Sequence, residues 1–264
     1  MQKHVVLCAV DVEGVTQLHD VVYVVCGASS SIVKFNATTH QRLTDINVKD
    51  LRDPCDIAAC QQTSQLYIPD LYGACIWGVS ADGGDIKRWW LKSESDVFIP
   101  WKLSVTSTRL LVTSQNTNQL LQLDAVGNEL RRVQLPDYMK LRHAVESPTG
   151  TFIVSHVNTP QLNQYQVSEV NTGGEVLRHF SGARLAPLIN PAHVAVDSHG
   201  NILVADSDNR RLLLLDAQLK LRRVIIDEHQ LNHEEPWRLC YMEHTGQLLV
   251  SLGKRVTVFD VLCR

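Results

Sequence analysis

Apolar residues along this chain fall into short runs broken by Gly, Asn, Asp and Ser, and nowhere into the spacing of an amphipathic helix. The stretch PAHVAVDSHGNILVADSDNRRLLLLD, residues 191–216, shows the pattern most clearly. His193–Asp197 predicts an inner strand, and Ser198-His199-Gly200-Asn201 supplies the φ > 0 residue that a tight hairpin turn needs. Ile202–Asp206 predicts a second strand, Arg211–Asp216 a third and Leu219–Ile226 an outer one. Leu212–Leu215 is apolar throughout rather than alternating, as in a sheet covered on both faces. Almost no helix is expected.

The unit recurs. Segments at 14–27, 53–70, 100–114, 141–156, 191–206 and 236–252 repeat its opening lines. The residues just before the first apolar position are Gly14, Asp56, Lys102, His143, His193 and Arg238, spaced by 42, 46, 41, 50 and 45 positions. A period of that size, with several short strands per unit, signals a β-propeller rather than a sandwich or a βαβ array. The fold class is all-β: six blades, each a four-stranded antiparallel sheet, in one domain spanning 1–264. The sixth unit (Pro236–Glu243, Gly246–Leu252, Arg255–Leu262) is one strand short, while the N-terminal run His4–Val10 has no partner. Laying that run along Arg255–Leu262 closes the ring and covers an edge that would otherwise invite aggregation.

Composition then narrows the setting. Net charge is −3, with 44% hydrophobic and 20% charged residues, so a core forms and no global attraction to nucleic acid or anionic membrane exists. His4–Val10 is too short for a membrane span and a poor signal peptide. Seven cysteines occur without a CxxC pair, and Cys55 and Cys60 do not have zinc-finger spacing. Buried thiols in a reducing, cytoplasmic compartment are expected, with secretion left open by the single Asn36-Ala37-Thr38 sequon. The protein is expected to be monomeric and to keep off membranes.

Pro191, Val194, Asp197, Gly200-Asn201, Val204, Asp206, Asn209 and Arg211 follow the pattern of NHL repeats, which the fifth unit resembles best. The resemblance implies six blades. In the D-x-x-N-x-R element, Asp206 ends a strand, Asn209 takes the left-handed turn conformation and Arg211 reaches back to Asp206. Where that family usually places a small residue at the start of the inner strand, this chain has His193.

In a propeller the inner-strand starts converge on the central channel, so Asp56, Lys102, His143, His193 and Arg238 become a ring of candidate ligand contacts. A second ring from the ends of the second strands adds Asp70 and His156 beside Cys26, Ser114, Asp206 and Leu252. The favoured reading is a non-enzymatic binding propeller without a cofactor. Its mouth grips a protein or small anionic ligand through Lys102, Arg238 and a protonated histidine, with affinity rising as pH falls through about 6.5. The first alternative is a metal-dependent lyase or hydrolase. A weaker resemblance to peptidyl-hydroxyglycine amidating lyases implies metal-binding histidines in this column, and a divalent metal would be held here by His143, His193 and Asp56. No GxSxG, HExxH, Walker A or GxGxxG motif supports other chemistries. The second alternative, single-stranded RNA binding, rests on the resemblance to the NHL domains of tripartite-motif proteins. It is less favoured, because Arg52, Arg142, Arg184, Arg210, Lys254 and Arg255 alternate with Asp53, Asp137, Asp208, Asp227, Glu228, Glu234 and Glu235. Trp101 and Trp237 are expected to fill gaps between blades. Of Trp89 and Trp90, one is expected to be buried and the other exposed.

Overall fold

The computed structural model describes residues 3–106, 109–159, 164–183, 186–242 and 245–261. Arg184, Glu243, Leu262 and Cys263, which enter the expectations above, lie outside them. Six four-stranded antiparallel sheets form a ring, and no helix occurs among the described residues. None is therefore long and apolar enough to cross a membrane. The inner strands are Val12–Leu18, Ala58–Cys60, Pro100–Thr106, Met139–Glu146, Pro191–Val196 and Pro236–Met242. Each packs against the next around the axis, the last against the first.

Ring closure uses both ends of the chain. Lys3–Leu7 lies antiparallel to Arg255–Asp260 as the outer strand of blade 6, pairing Lys3 with Val258, His4 with Thr257, Val6 with Val256 and Leu7 with Arg255. The strand is shorter than His4–Val10. Cys8 still donates its N–H to Lys254 O at 2.7 Å, and the chain then bends at Ala9-Val10 into blade 1.

Why the apolar runs are continuous follows from the strand period. Successive side chains point to opposite faces of a sheet, and in a propeller both faces are covered. In Val21–Cys26, Val22 and Val24 join a cluster with Leu249 and Val258 of blade 6, while Tyr23 and Val25 join Leu66, Ile68 and Trp77 of blade 2. Six such clusters exist, one at each blade-to-blade interface. The core is distributed between neighbours rather than gathered at one centre. Trp89 packs on Tyr67 with centroids 4.6 Å apart, and Trp90 meets Phe98 edge-on at 6.1 Å. Both tryptophans are half-buried in the interface of blades 2 and 3, so neither is the exposed one of the pair.

A β-bulge sits at the start of five inner strands. The register slips between Val12 and Gly14, Pro100 and Leu103, Leu141 and His143, Pro191 and His193, and Pro236 and Arg238. A bulge inserts one residue, twists the strand and re-aims the side chain beside it. The slip therefore falls immediately before, or on, five of the six residues of the axial column, Asp56 being the exception.

Turn chemistry matches the fifth unit with one change. Gly200 holds the expected left-handed conformation at φ 79, but in the following turn it is Arg210, at φ 50, and not Asn209 that does so. Asn209 instead donates its side-chain N–H to Asp206 Oδ2 at 2.8 Å, and Arg211 Nε reaches the same oxygen at 2.6 Å. The amide is engaged by the carboxylate, which leaves the strained φ to its neighbour.

Candidate functional site

The axial column does converge. Asp56, Lys102, His143, His193 and Arg238 are all buried, between 1% and 8% exposed, although all five carry a formal or potential charge. Gly14 completes the column for a steric reason: a Cβ there would lie 2.6 Å from Ile57 N and 2.8 Å from Asp56 C. Adjacent inner strands approach so closely at this point that blade 1 tolerates no side chain.

The buried polar groups stitch neighbouring blades together. Asp56 accepts N–H bonds from Ile57 at 3.0 Å and from Leu103 of blade 3 at 2.9 Å, one on each carboxylate oxygen. Lys102 donates to Cys55 O. His143 lies 3.2 Å from Leu103 O through Nε2, so that nitrogen donates, and its Nδ1 accepts the Val194 N–H of blade 5 at 3.4 Å. The His193 ring stacks on His143, and its Nδ1 finds no partner. Burial drives His143 down to about 3, with Arg238 and Lys102 adding to the fall. Burial, and then the neighbouring His143, hold His193 well below its ordinary value too. Neither is an imidazolium near neutrality, so the expectation of a funnel strengthened by histidine protonation near pH 6.5 is corrected. Burial also lowers Lys102 to about 8, aided by Arg238, and raises Asp56 above the usual carboxylate range.

Donor atoms of Asp56, His143 and His193 all lie within 4.8 Å of one another, which is the density a metal requires. Their bonding does not fit a cation. Both Asp56 oxygens accept an N–H, one from the adjacent Ile57 and one from Leu103 of blade 3, and both His143 nitrogens are engaged across blades, which leaves His193 with a free nitrogen. Lys102 and Arg238 add two positive charges beside the cluster. Seating a divalent ion on His143 would require it to give up its bond to Leu103 O or to the Val194 N–H.

Asp70 and His156 are not brought to this ring. Asp70 is buried beneath the loop at 52–53, accepting N–H bonds from Arg52 (3.3 Å), Asp53 (3.1 Å) and Gly73 (3.3 Å), and from the Trp77 indole (3.3 Å). His156 sits inside blade 4, with Nε2 2.7 Å from Ser168 Oγ. Asp70 and Asp206 occupy equivalent strand ends and do equivalent work, tying the preceding loop to the turn that follows them.

Open space lies on both sides of the ring. Toward the C-terminal ends of the inner strands is a cavity of about 200 Å³ lined by Thr16, Ser104, Val145 and Ala195, with His143 and His193 at its floor. Toward the N-terminal ends is a mouth of about 360 Å³ walled by Trp101 and Trp237, with Lys102 and Arg238 deep and Asp11 and Glu13 at the rim. The two tryptophans thus line the mouth instead of filling gaps between blades. Arg238 donates through Nε to Glu13 O at 2.7 Å and through Nη1 to Trp237 O at 2.9 Å. Glu13 Oε2 lies 3.6 Å from Arg238 Nη2 and 3.8 Å from Lys102 Nζ, straddling both cations without closing a hydrogen bond on either. The Glu13 contribution escaped the sequence reading, and Trp237 was expected between blades rather than on the mouth. Both fall at bulges, and the repeat alignment marks only the residue that follows.

No protein-family model matches this chain, and no curated protein matches it by sequence. Solved structures do match it by shape. A gluconolactonase from Xanthomonas campestris superposes with a TM-score of 0.73 at 13% identity, over 97% of this chain and 88% of that one. Virginiamycin B lyase from Staphylococcus aureus gives 0.67 at 11% identity, over 98% of each chain. The WD40 propeller of Doa1 gives 0.68 at 14%, over 98% and 96%. At these identities the likeness shows the propeller fold alone and carries no chemistry, since two are enzymes and the third is a WD40 domain.

Proposed function

We propose that this chain is an interaction module that grips a carboxylate-bearing segment of a partner protein at its channel mouth, with a small anion as the minimal ligand. The observation that carries the reading is the unclosed geometry around Glu13. Two deeply buried cations face one half-exposed carboxylate at distances beyond hydrogen bonding, between two tryptophan walls. Glu13 stands in the place of a ligand carboxylate, which would form shorter, charge-assisted bonds on entering. Trp and Arg are the side chains that most often anchor protein contacts. The internally bonded ring supports binding over catalysis, because none of its histidines is set up as a proton-transfer group near neutral pH. The NHL-like unit at 191–211 agrees with a scaffold of this kind.

Opposite-sign variants test the reading. Inorganic phosphate and a peptide ending in an acidic residue are titrated while tryptophan fluorescence is followed. Glu13→Gln removes the internal competitor and should tighten binding severalfold. Arg238→Gln should weaken it by about tenfold, or roughly 1.4 kcal/mol. Absence of binding by both probes, or identical affinity in all three proteins, would sink the assignment.

A further inference from the structure

The bend that links blade 6 to blade 1 carries a second chemical feature. After the closing strand Lys3–Leu7, Cys8 is held by its bond to Lys254 O, and the chain enters the inner strand of blade 1 at Val12. Val12 is the cross-strand partner of Cys26, and Gly27 N donates to Asp11 O at 3.0 Å. Cys26 is thereby fixed under the bend. Its side chain and that of Cys8 pack in one apolar cluster with Val12, Val24 and Val256, and the two thiols share a hydrogen bond. Both are free cysteines.

We propose that Cys8 and Cys26 are a reversible dithiol–disulfide pair that, when oxidised, fastens the ring-closing segment to blade 1. Their environments assign the roles. Cys8 is half-buried and Cys26 is buried, so an incoming oxidant reaches Cys8 first. The bond from Cys26 favours the Cys8 thiolate, assisted by Arg42 against burial and Asp45, while the same bond pushes Cys26 up and keeps its proton. An accessible thiol whose acidity is raised by a buried second thiol beside it is the arrangement of redox-responsive cysteines. Burial holds the thiols of Cys55, Cys75 and Cys240 protonated, which sets Cys8 apart from them.

The oxidant is a low-molecular-weight disulfide, and oxidised glutathione serves. The Cys8 thiolate attacks one glutathione sulfur, breaking its S–S bond and releasing one glutathione thiolate. Cys26 then loses its proton to solvent and attacks the Cys8 sulfur of the mixed disulfide, expelling the second glutathione thiolate. Two protein thiols are oxidised to one disulfide, and one oxidised glutathione is reduced to two thiols. The new bond closes a loop from Cys8 to Cys26 that holds the segment leading out of the blade 6 edge strand. In the chain-entropy view such a cross-link restricts the unfolded state and raises the melting temperature.

The experiment incubates the full chain with excess oxidised glutathione, then maps non-reduced peptides by mass spectrometry and measures melting temperature. Expected are a Cys8–Cys26 linked peptide with the loss of two hydrogens and a melting temperature several degrees higher, reversed by dithiothreitol. Cys8→Ser and Cys26→Ser should each abolish the shift, and Cys26→Ser should stop at a glutathione adduct on Cys8. A wild-type protein that carries only that adduct, that pairs either residue with another cysteine, or that stays fully reduced would overturn the proposal. So would an equal melting shift in both serine variants. The wild-type peptide map decides the matter even where a variant folds poorly.

Discussion

The imidazole rings of His143 and His193 stack 3.7 Å apart, only 21° from parallel, across the interface of blades 4 and 5. At that separation two imidazolium ions would repel strongly in a site shielded from water. The stack is a contact between neutral rings, and the depressed values of both histidines express the same fact.

Stability should therefore depend on pH in a defined window. His143 is held near 3 when folded, whereas an unfolded histidine titrates near 6.5. Between those values the unfolded chain binds the additional proton, so its contribution is complete above about 6.5 and drains away as pH falls. The slope approaches about 1.4 kcal/mol per pH unit for each such histidine. Urea midpoints at successive pH values from 7.5 to about 4.5 should fall, and His143→Gln should flatten the decline. A flat midpoint in the parent protein would show that the rings are solvated.

Asp206 is wholly buried beneath the loop that leads into blade 5, and accepts from Ile189 N at 2.8 Å as well as from Asn209 and Arg211. Asp206→Ala should destabilise the protein by about 3 kcal/mol or more, because it leaves a backbone donor and a partly buried guanidinium unmatched. Arg211→Ala should cost a comparable amount. In a double-mutant cycle by denaturant unfolding, the two losses should combine to much less than their sum. Additive losses would mean the pair is not coupled.

Removing residues 1–7 strips the outer strand from blade 6 and exposes the backbone of Arg255–Asp260. The expected result is a melting temperature lower by about 5 °C or more, with concentration-dependent aggregation at the open edge. Calorimetry together with light scattering reads both. An unchanged melting curve would contradict the pairing.

Single-stranded RNA should bind weakly. The loop charges are mixed in sign: Arg52 lies over the Tyr72 ring, and Arg255 pairs with Glu234. Few phosphates can then be neutralised, and the slope of log affinity against log salt should be small. Fluorescence anisotropy with labelled oligonucleotides at physiological salt should give dissociation constants no tighter than micromolar, within the range of non-specific contact. Tight, sequence-selective binding would reverse the ranking of functions.

The fold was legible because the repeat is written in the strands themselves. Gly200, the Asp206–Arg211 pairing and the apolar runs of Leu212–Leu215 each follow from local rules, and the missing strand of blade 6 could be counted. The column of axial residues was legible as a column. Its bonding was not, since whether Asp56 meets solvent or the Leu103 N–H depends on how close two strands distant in sequence approach. Gly14 illustrates the gap. Its place in the column reads as interchangeable with His193, yet the backbone of Asp56-Ile57 occupies the space a Cβ would need. Asp70 and His156 were assigned to the axis by position at a strand end, but that end turns beneath a loop in one blade and into the sheet stack in the other.

The buried axial residues lie between two open spaces that share no lining residue. One opens beside Trp101 and Trp237, the other beside Val145 and Ala195. The two faces are separate receptacles with different linings, one charged and aromatic, the other smaller and mixed polar and apolar. A single chain of this shape therefore has room for two occupants, back to back, with the buried charges of the axis between them.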